Sequence, residues 1–303
     1  MIENEDAAAA FGILADTTRI AILRAFARAL EGADVGSNDP FPALAFSEVY
    51  DRVDVDSTSQ LSYHLEQLDG TYLRRTDDGW TFTFAGESIV RLVLSGAYAG
   101  DVDFDPVPVD TPCPICDAEA LRVVVEDLLL FWACEDCERR MGGLPVTPAQ
   151  VRGRDPEGVL SSATARMVTR YWRFRENACP DCGGAVELEL QESAASVDAL
   201  EWTAVGCCRQ CRRSIHGPPS IWLVSHPASV AFHWDRGVDV RTFGFRELTG
   251  RVTAGRWGTN RVDAGEYRVT YRLEDAELRL TVDETLSVSS TARVRTDPSG
   301  DPD

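Results

Sequence analysis

The chain has 303 residues, 44% of them apolar and 26% charged, with a formal net charge of −19. That apolar share supports packed cores for two to four units of about 100–150 residues each and excludes wholesale disorder. No apolar run approaches the roughly 20 residues that span a bilayer; Leu128 to Ala133 is strand-sized, and the acidic start, Met1 to Asp6, lacks the basic region of a secretory signal. A cytoplasmic protein with no membrane contact is expected.

The sequence contains no lysine, so all 30 basic residues are arginine. An acid-rich chain without lysine is similar to the proteomes of salt-accumulating halophilic archaea, although a GC-rich genome also favours arginine. At molar salt the Debye length falls to about 3 Å, and surface acids barely repel one another. The net charge then says little about partners, whereas at low salt the same surface repels itself.

Ala7 to Leu14 reads as a short helix, and Asp16 is placed to cap the next, where Ile20, Leu23, Ala27 and Leu30 recur at helical spacing. Gly32 to Pro42 reads as a turn-rich loop. A third helix is predicted over Ser47 to Val53 and a fourth over Thr58 to Leu68. On the fourth, Leu61, Leu65 and Leu68 share one face, and Ser59, Gln60, Ser62, Tyr63, Glu66 and Gln67 lie around the remainder. Gln pairs with adenine edges and Ser or Thr with several bases or with phosphate, so this face suits a major groove. Ser57 and Thr58 at the helix start suit a phosphate. Tyr72 to Thr76 and Trp80 to Phe84, joined at Asp77-Asp78-Gly79, read as a hairpin carrying Arg74 and Arg75. A closing helix is predicted over Glu87 to Leu94.

The runs Leu14-Ala15-Asp16-Thr17-Thr18-Arg19-Ile20-Ala21-Ile22-Leu23 and Ser57-Thr58-Ser59-Gln60-Leu61-Ser62-Tyr63-His64-Leu65-Glu66-Gln67-Leu68 resemble the ArsR-type winged-helix transcription regulators. The resemblance covers about the first 95 residues. It implies that the fourth helix reads DNA and that the protein binds double-stranded DNA as a homodimer. Ser59, Gln60 and Tyr63 are the candidate base contacts, Ser57, Thr58, Arg74 and Arg75 the candidate phosphate contacts, and Gln67 a further candidate DNA-binding residue. Two departures stand out: Ser47 to Val53 carries none of the cysteines of that family's metal sensors, and the fourth helix has no arginine. His64 reads as a packing or capping residue.

Eight of the nine cysteines fall into four Cys-x-x-Cys pairs. In an intracellular protein that spacing points to metal. Cys113 and Cys116 with Cys134 and Cys137, across an apolar stretch, describe a zinc ribbon. Cys179 and Cys182 with Cys208 and Cys211 describe a second. Four thiolates make a closed structural site, so two structural Zn²⁺ ions are expected. The knuckles could also be exchanged between ribbons; pairing neighbours is the shorter closure. Cys207 is left over and reads as a small buried residue, and His216 as an unlikely ligand. A thiol–disulfide enzyme would want a βαβ setting, whereas here the setting is strand–knuckle–strand.

Pro156 to Arg175 reads as a helix rich in Arg166, Arg170, Arg173 and Arg175 and in aromatics, and Arg209, Arg212, Arg213 and His216 form a second basic cluster. These arginines either touch DNA backbone or pair with the chain's many acids. Further on, His226 to Asp235 reads as a helix, a strand begins at Val238, and Tyr267 to Leu273 with Leu278 to Val282 reads as a hairpin. The segment from Ser225 to Val240 is similar to one in haloarchaeal winged-helix regulators with appended ribbons.

The sequence therefore predicts a multidomain α+β protein: a winged helix-turn-helix over residues 1–98, a linker over 99–112 and a zinc ribbon over 113–145. A connecting helix over 146–177, a second ribbon over 178–217, a small α+β region for sensing or dimerisation over 218–295 and a disordered acidic tail over 296–303 complete it. The expected role is a sequence-specific transcription regulator, possessing no enzyme activity, whose partners include a small-molecule effector or the transcription machinery. The alternative is a general polymerase adaptor resembling archaeal transcription factor E, which also joins a winged helix to a zinc ribbon. No nucleophile–base constellation, Gly-rich phosphate loop or open metal site argues for catalysis.

Overall fold

The computed structural model describes residues 4–29, 43–98, 102–110, 112–113, 115–193 and 201–295. The predicted loop at Gly32 to Pro42 and the acidic tail lie outside the described residues. The fold is mixed α+β, with ten α-helices and thirteen strands in four antiparallel sheets among the described residues. It divides into two compact units, Met1–Gly100 with Thr147–Ala149, and Asp101–Val146 with Gln150–Asp303.

The first unit runs α1 (Asn4–Ile13), α2 (Thr17–Ala29), α3 (Phe46–Tyr50), α4 (Thr58–Leu68), β1 (Leu73–Thr76), β2 (Gly79–Phe82) and α5 (Phe84–Ser95). The Asp16 carboxylate starts α2 by accepting the Thr18 and Arg19 N–H groups at 2.8 and 3.1 Å. Helix α3 begins one residue before the predicted Ser47, because the Glu48 carboxylate reaches back to the Ala45 N–H at 2.8 Å. It also ends at Tyr50, short of Val53. Thr76 and Gly79 close the hairpin, with Gly79 at φ +134° and its missing Cβ leaving room for the Leu44 carbonyl. Leu44 and Trp80 exchange backbone hydrogen bonds at 2.8 and 2.9 Å, adding a one-residue bridge to the hairpin. The predicted second strand runs to Phe84, but β2 ends at Phe82. Instead Thr83 caps α5, accepting the Gly86 N–H at 3.1 Å and donating to the Thr71 carbonyl at 2.6 Å. Ile22, Leu23, Phe26, Leu61, Leu65, Leu68 and Leu73 fill the core, each burial stabilising by about 1.5–3 kcal/mol.

The second unit opens with a four-stranded sheet, β3 (Val107–Pro108), β4 (Leu121–Glu126), β5 (Leu129–Cys134) and β6 (Arg140–Pro145), in that order. The apolar stretch between the two knuckles forms the middle two strands; β3 comes from the predicted linker and β6 from beyond the second knuckle. A short α6 (Pro148–Val151), whose first two residues count with the first unit, precedes α7 (Pro156–Arg175), where Asp155 accepts the Gly158 N–H at 2.8 Å and Pro156 fits the first turn. A three-stranded sheet follows, β7 (Val186–Glu192), β8 (Trp202–Cys208) and β9 (Ser214–Gly217), then α8 (Pro219–Trp222) and α9 (Pro227–Trp234). Where a strand was expected from Val238, a 3₁₀ turn (Val240–Thr242) and α10 (Phe245–Thr253) form. Phe245, Leu248 and Val252 are buried at helical spacing, a period the strand reading overlooked. A four-stranded meander closes the unit: β10 (Trp257–Asp263), β11 (Glu266–Leu273), β12 (Ala276–Asp283) and β13 (Val288–Arg295).

The buried side chains of these segments, four separate regions in the sequence reading, form one continuous core. Aromatic rings join the pieces. Tyr171 of α7 stacks on Trp222 at 4.5 Å, Trp132 of β5 meets Phe245 of α10 at 5.0 Å, and Trp202 of β8 meets Tyr267 of β11 at 4.8 Å. No helix among the described residues is long and apolar enough to cross a membrane.

Candidate metal centres

All four Cys-x-x-Cys pairs adopt one local structure. The residue after the second cysteine lies in the left-handed region in each: Asp117 (φ 60°), Glu138 (φ 56°), Gly183 (φ 73°) and Arg212 (φ 60°). The first cysteine's N–H donates across the turn to the carbonyl five residues on, Cys113 to Ala118, Cys134 to Arg139, Cys179 to Gly184 and Cys208 to Arg213, at 2.8–3.0 Å. This tight reversal turns both sulfurs of a pair to one side. Only one of the four left-handed positions is glycine, so the others carry the steric cost of a Cβ there.

The antiparallel ladders then bring pairs together. Cys134 ends β5 and Cys208 ends β8, and the antiparallel pairing sets each beside the start of the preceding strand, β4 or β7, and the knuckle that leads into it. The result is two tetracysteine clusters, Cys113, Cys116, Cys134 and Cys137, and Cys179, Cys182, Cys208 and Cys211, each with its sulfurs within 4.8 Å of one another. Neighbouring knuckles pair; exchange between ribbons is ruled out. The closest sulfurs stand 3.5–3.8 Å apart. A tetrahedral ion with metal–sulfur bonds of about 2.3 Å sets its ligands about 3.8 Å apart, so each cluster fits one ion.

Backbone N–H groups aim at the sulfurs, as at Gly184 to Cys182 Sγ, 3.4 Å. They also divide the thiols electrostatically. The Cys137 N–H, opposed by desolvation and joined by the Asp136 N–H, brings the Cys134 thiol down to about 7. The Cys211 N–H, with the Gln210 N–H, brings Cys208 down to about 6. At Cys116 the Ala118 N–H pulls down, but desolvation and the neighbouring thiols win and push it up to about 12; Cys211 behaves likewise beside the Arg213 N–H. Loading a metal therefore releases protons from Cys116 and Cys211 across the neutral range. Four protein ligands leave no open position for a substrate. Cys207 points to the opposite face of β8 from Cys208 and is half-buried, so it is less enclosed than expected. His216 lies on β9, outside the cluster.

Three arginines of the two predicted basic clusters, on α7 and in the fourth knuckle, are ion-paired. Asp181, inside the third knuckle, pairs with Arg170 at 3.5 Å and with Arg213, while Arg209 pairs with Glu187 at 2.9 Å. Of the two roles left open for these arginines, ion pairing holds for Arg170, Arg209 and Arg213. Asp181 was not singled out in the sequence, although its place between two cysteines was a usable signal. His226 caps α9, its Nδ1 accepting the Ala228 N–H at 3.2 Å, and His233 is buried against Trp257 and Tyr271.

In the first unit, α4 buries Leu61, His64, Leu65 and Leu68 and exposes Thr58, Ser59, Ser62, Tyr63, Glu66 and Gln67. Ser57 is the N-cap, its hydroxyl accepting the Gln60 N–H at 3.2 Å, and the Gln60 side-chain oxygen accepts the Asp56 N–H at 2.9 Å. Both are thus partly committed to the helix start. Buried His64 lies 3.8 Å from Asp16, a structural position. Arg74 and Arg75 project from β1; Arg75 lies over the Trp80 ring at 4.7 Å and beside Asp69 at 3.9 Å.

A family model described as a domain of unknown function, DUF7351, matches residues 110–288. The chain belongs to that family. The DUF7351 segment takes in both tetracysteine clusters and most of the meander, and a second model of the same kind, DUF7347, matches residues 7–93, the first unit. No curated protein and no solved structure is significantly similar to the chain.

Proposed function

We propose that the protein is a sequence-specific DNA-binding transcription regulator. In this reading the first unit is an ArsR-like winged helix-turn-helix that binds double-stranded DNA as a homodimer, and the second unit is stabilised by two structural Zn²⁺ ions. The observation that carries the reading is the outward face of α4. It presents Ser59, Ser62, Tyr63 and Gln67 on a helix held rigidly by four buried residues, directly ahead of a hairpin that projects Arg74 and Arg75. Hydroxyl and amide groups on such a face match base-edge donors and acceptors, and arginines on the adjoining hairpin match phosphate. Zinc is favoured as the metal because all-sulfur tetrahedral sites select it or iron, and closed four-cysteine sites are its usual structural role.

The test is binding of the zinc-loaded protein to DNA from upstream of its own coding sequence, in molar KCl, against a scrambled duplex of the same composition. Selective binding is the expected result. Equal or absent binding to both, together with recovery of polymerase subunits in a pull-down, favours the adaptor reading instead.

A further inference from the structure

The second unit encloses a partly open cavity of about 570 Å³, within the range of about 300–1,000 Å³ typical of small-molecule sites. Strand β6, at the edge of the first ribbon's sheet, and β9, at the edge of the second, both line it, with α7 and α10. The walls are apolar and aromatic: Trp132, Met141, Met167, Tyr171, Trp202 and Phe245. Among the described residues no aspartate or glutamate lines it, in a chain whose net charge is −19.

Three arginines do line it: Arg166, Arg170 and Arg213. Two have anionic neighbours that account for them, since Arg170 and Arg213 both lean on Asp181 and face the sulfurs of the second cluster. Arg166 differs. Its hydrogen-bond partner is the neutral side-chain oxygen of Gln150, and it has no carboxylate partner among the described residues. It sits one helical turn from Arg170, close enough for the two charges to repel. An apolar bowl with a guanidinium lacking a counter-charge is complementary to an amphipathic anion.

We propose that this cavity binds a small molecule with an apolar body and one carboxylate or phosphate head, the head held by Arg166 with Arg170 beside it. Aromatic and thioether side chains cover the apolar body, and the head replaces water at Arg166.

The test uses the full-length, zinc-loaded protein in molar KCl without DNA, so failure here and failure of DNA recognition are separate results. Dodecanoate, dodecyl phosphate and methyl dodecanoate, each below its aggregation threshold, are titrated while tryptophan emission and heat are recorded. Saturable binding of one anion per chain is expected, with the neutral ester at least tenfold weaker. Tighter dodecanoate marks a carboxylate ligand and tighter dodecyl phosphate a phosphorylated one. Arg166→Gln should weaken the anion by about tenfold or more, the usual worth of a charged hydrogen bond, and leave the ester unchanged. Thr253→Trp, which fills the bowl from α10, should abolish both while zinc content and melting temperature stay at wild-type values. Equal affinity for ester and anions, no saturation by either anion, or indifference to Arg166→Gln overturns the proposal.

Discussion

Removing one ligand of the second metal centre should unfold the whole second unit and leave the first intact. Cys179 and Cys208 are fully buried, in the same core as Trp222, Tyr271 and Leu280. Zinc binding to such sites contributes about 10–16 kcal/mol of folding free energy, against a net stability of about 5–15 kcal/mol for an ordinary domain. Cys179→Ser therefore removes more than the unit has to spare. Because both clusters share that core, the first centre should lose its ion as well, taking zinc from two per chain to none. The core of the first unit contains no cysteine. Calorimetry in molar KCl should show two transitions for the wild type, and for Cys179→Ser or a chelated sample only the one belonging to the first unit, within a few degrees of its original temperature. A variant that keeps one zinc and both transitions would refute the shared-core reasoning, as would a chelator that removes both transitions.

Three further outcomes follow from particular residues. Arg75→Ala should weaken binding to all duplexes about equally and reduce the slope of log affinity against log salt by about one unit; loss confined to one sequence contradicts a phosphate role. Gly206→Val should destabilise the second unit by about 1–3 kcal/mol in denaturant titration, since a Cβ there would stand 2.5 Å from the Phe174 ring and 2.9 Å from Trp222. Glu277 is nearly buried between Arg272 and Arg279, at 2.7 and 2.5 Å; burial pushes its carboxyl up, but the two guanidiniums outweigh that and hold it below the usual carboxylate value. A depressed folded pKa means its stabilisation is present above about pH 4.5 and lost as pH falls through the lower folded value. Glu277→Gln should thus cost about 1–3 kcal/mol at pH 7, with the gap to wild type closing in acid.

The features legible in the sequence were those with short-range rules. Cys-x-x-Cys spacing gave the ligand pairs, Asp16 and the Pro156 start marked two helix beginnings, and the leucines of α4 gave its buried face. Long-range closure was not legible. Nothing local in Val107 or Met141 announces that each joins a strand to the first ribbon, because strand recruitment depends on the edge already formed by β4 and β5. Helix α10 was lost because Val238 and Val240 suggested a strand, while Asp239, accepting the Arg241 N–H at 3.0 Å, starts a turn there. The cavity between β6 and β9 was invisible for the same reason: Trp132, Met167, Trp202 and Phe245 are far apart in the chain and meet only in the finished core.

Recognition of base sequence by the exposed face of α4 is the central claim. The direct measurement is selection of duplexes from a random library by the zinc-loaded protein in molar KCl, run in parallel with a Ser59→Ala, Gln67→Ala variant. Both substitutions lie on exposed positions and leave the buried face untouched. The wild type should enrich one motif, and the variant should lose or alter it at unchanged melting temperature. Enrichment of no motif, or of the same motif by both proteins, would contradict the claim that this helix recognises DNA.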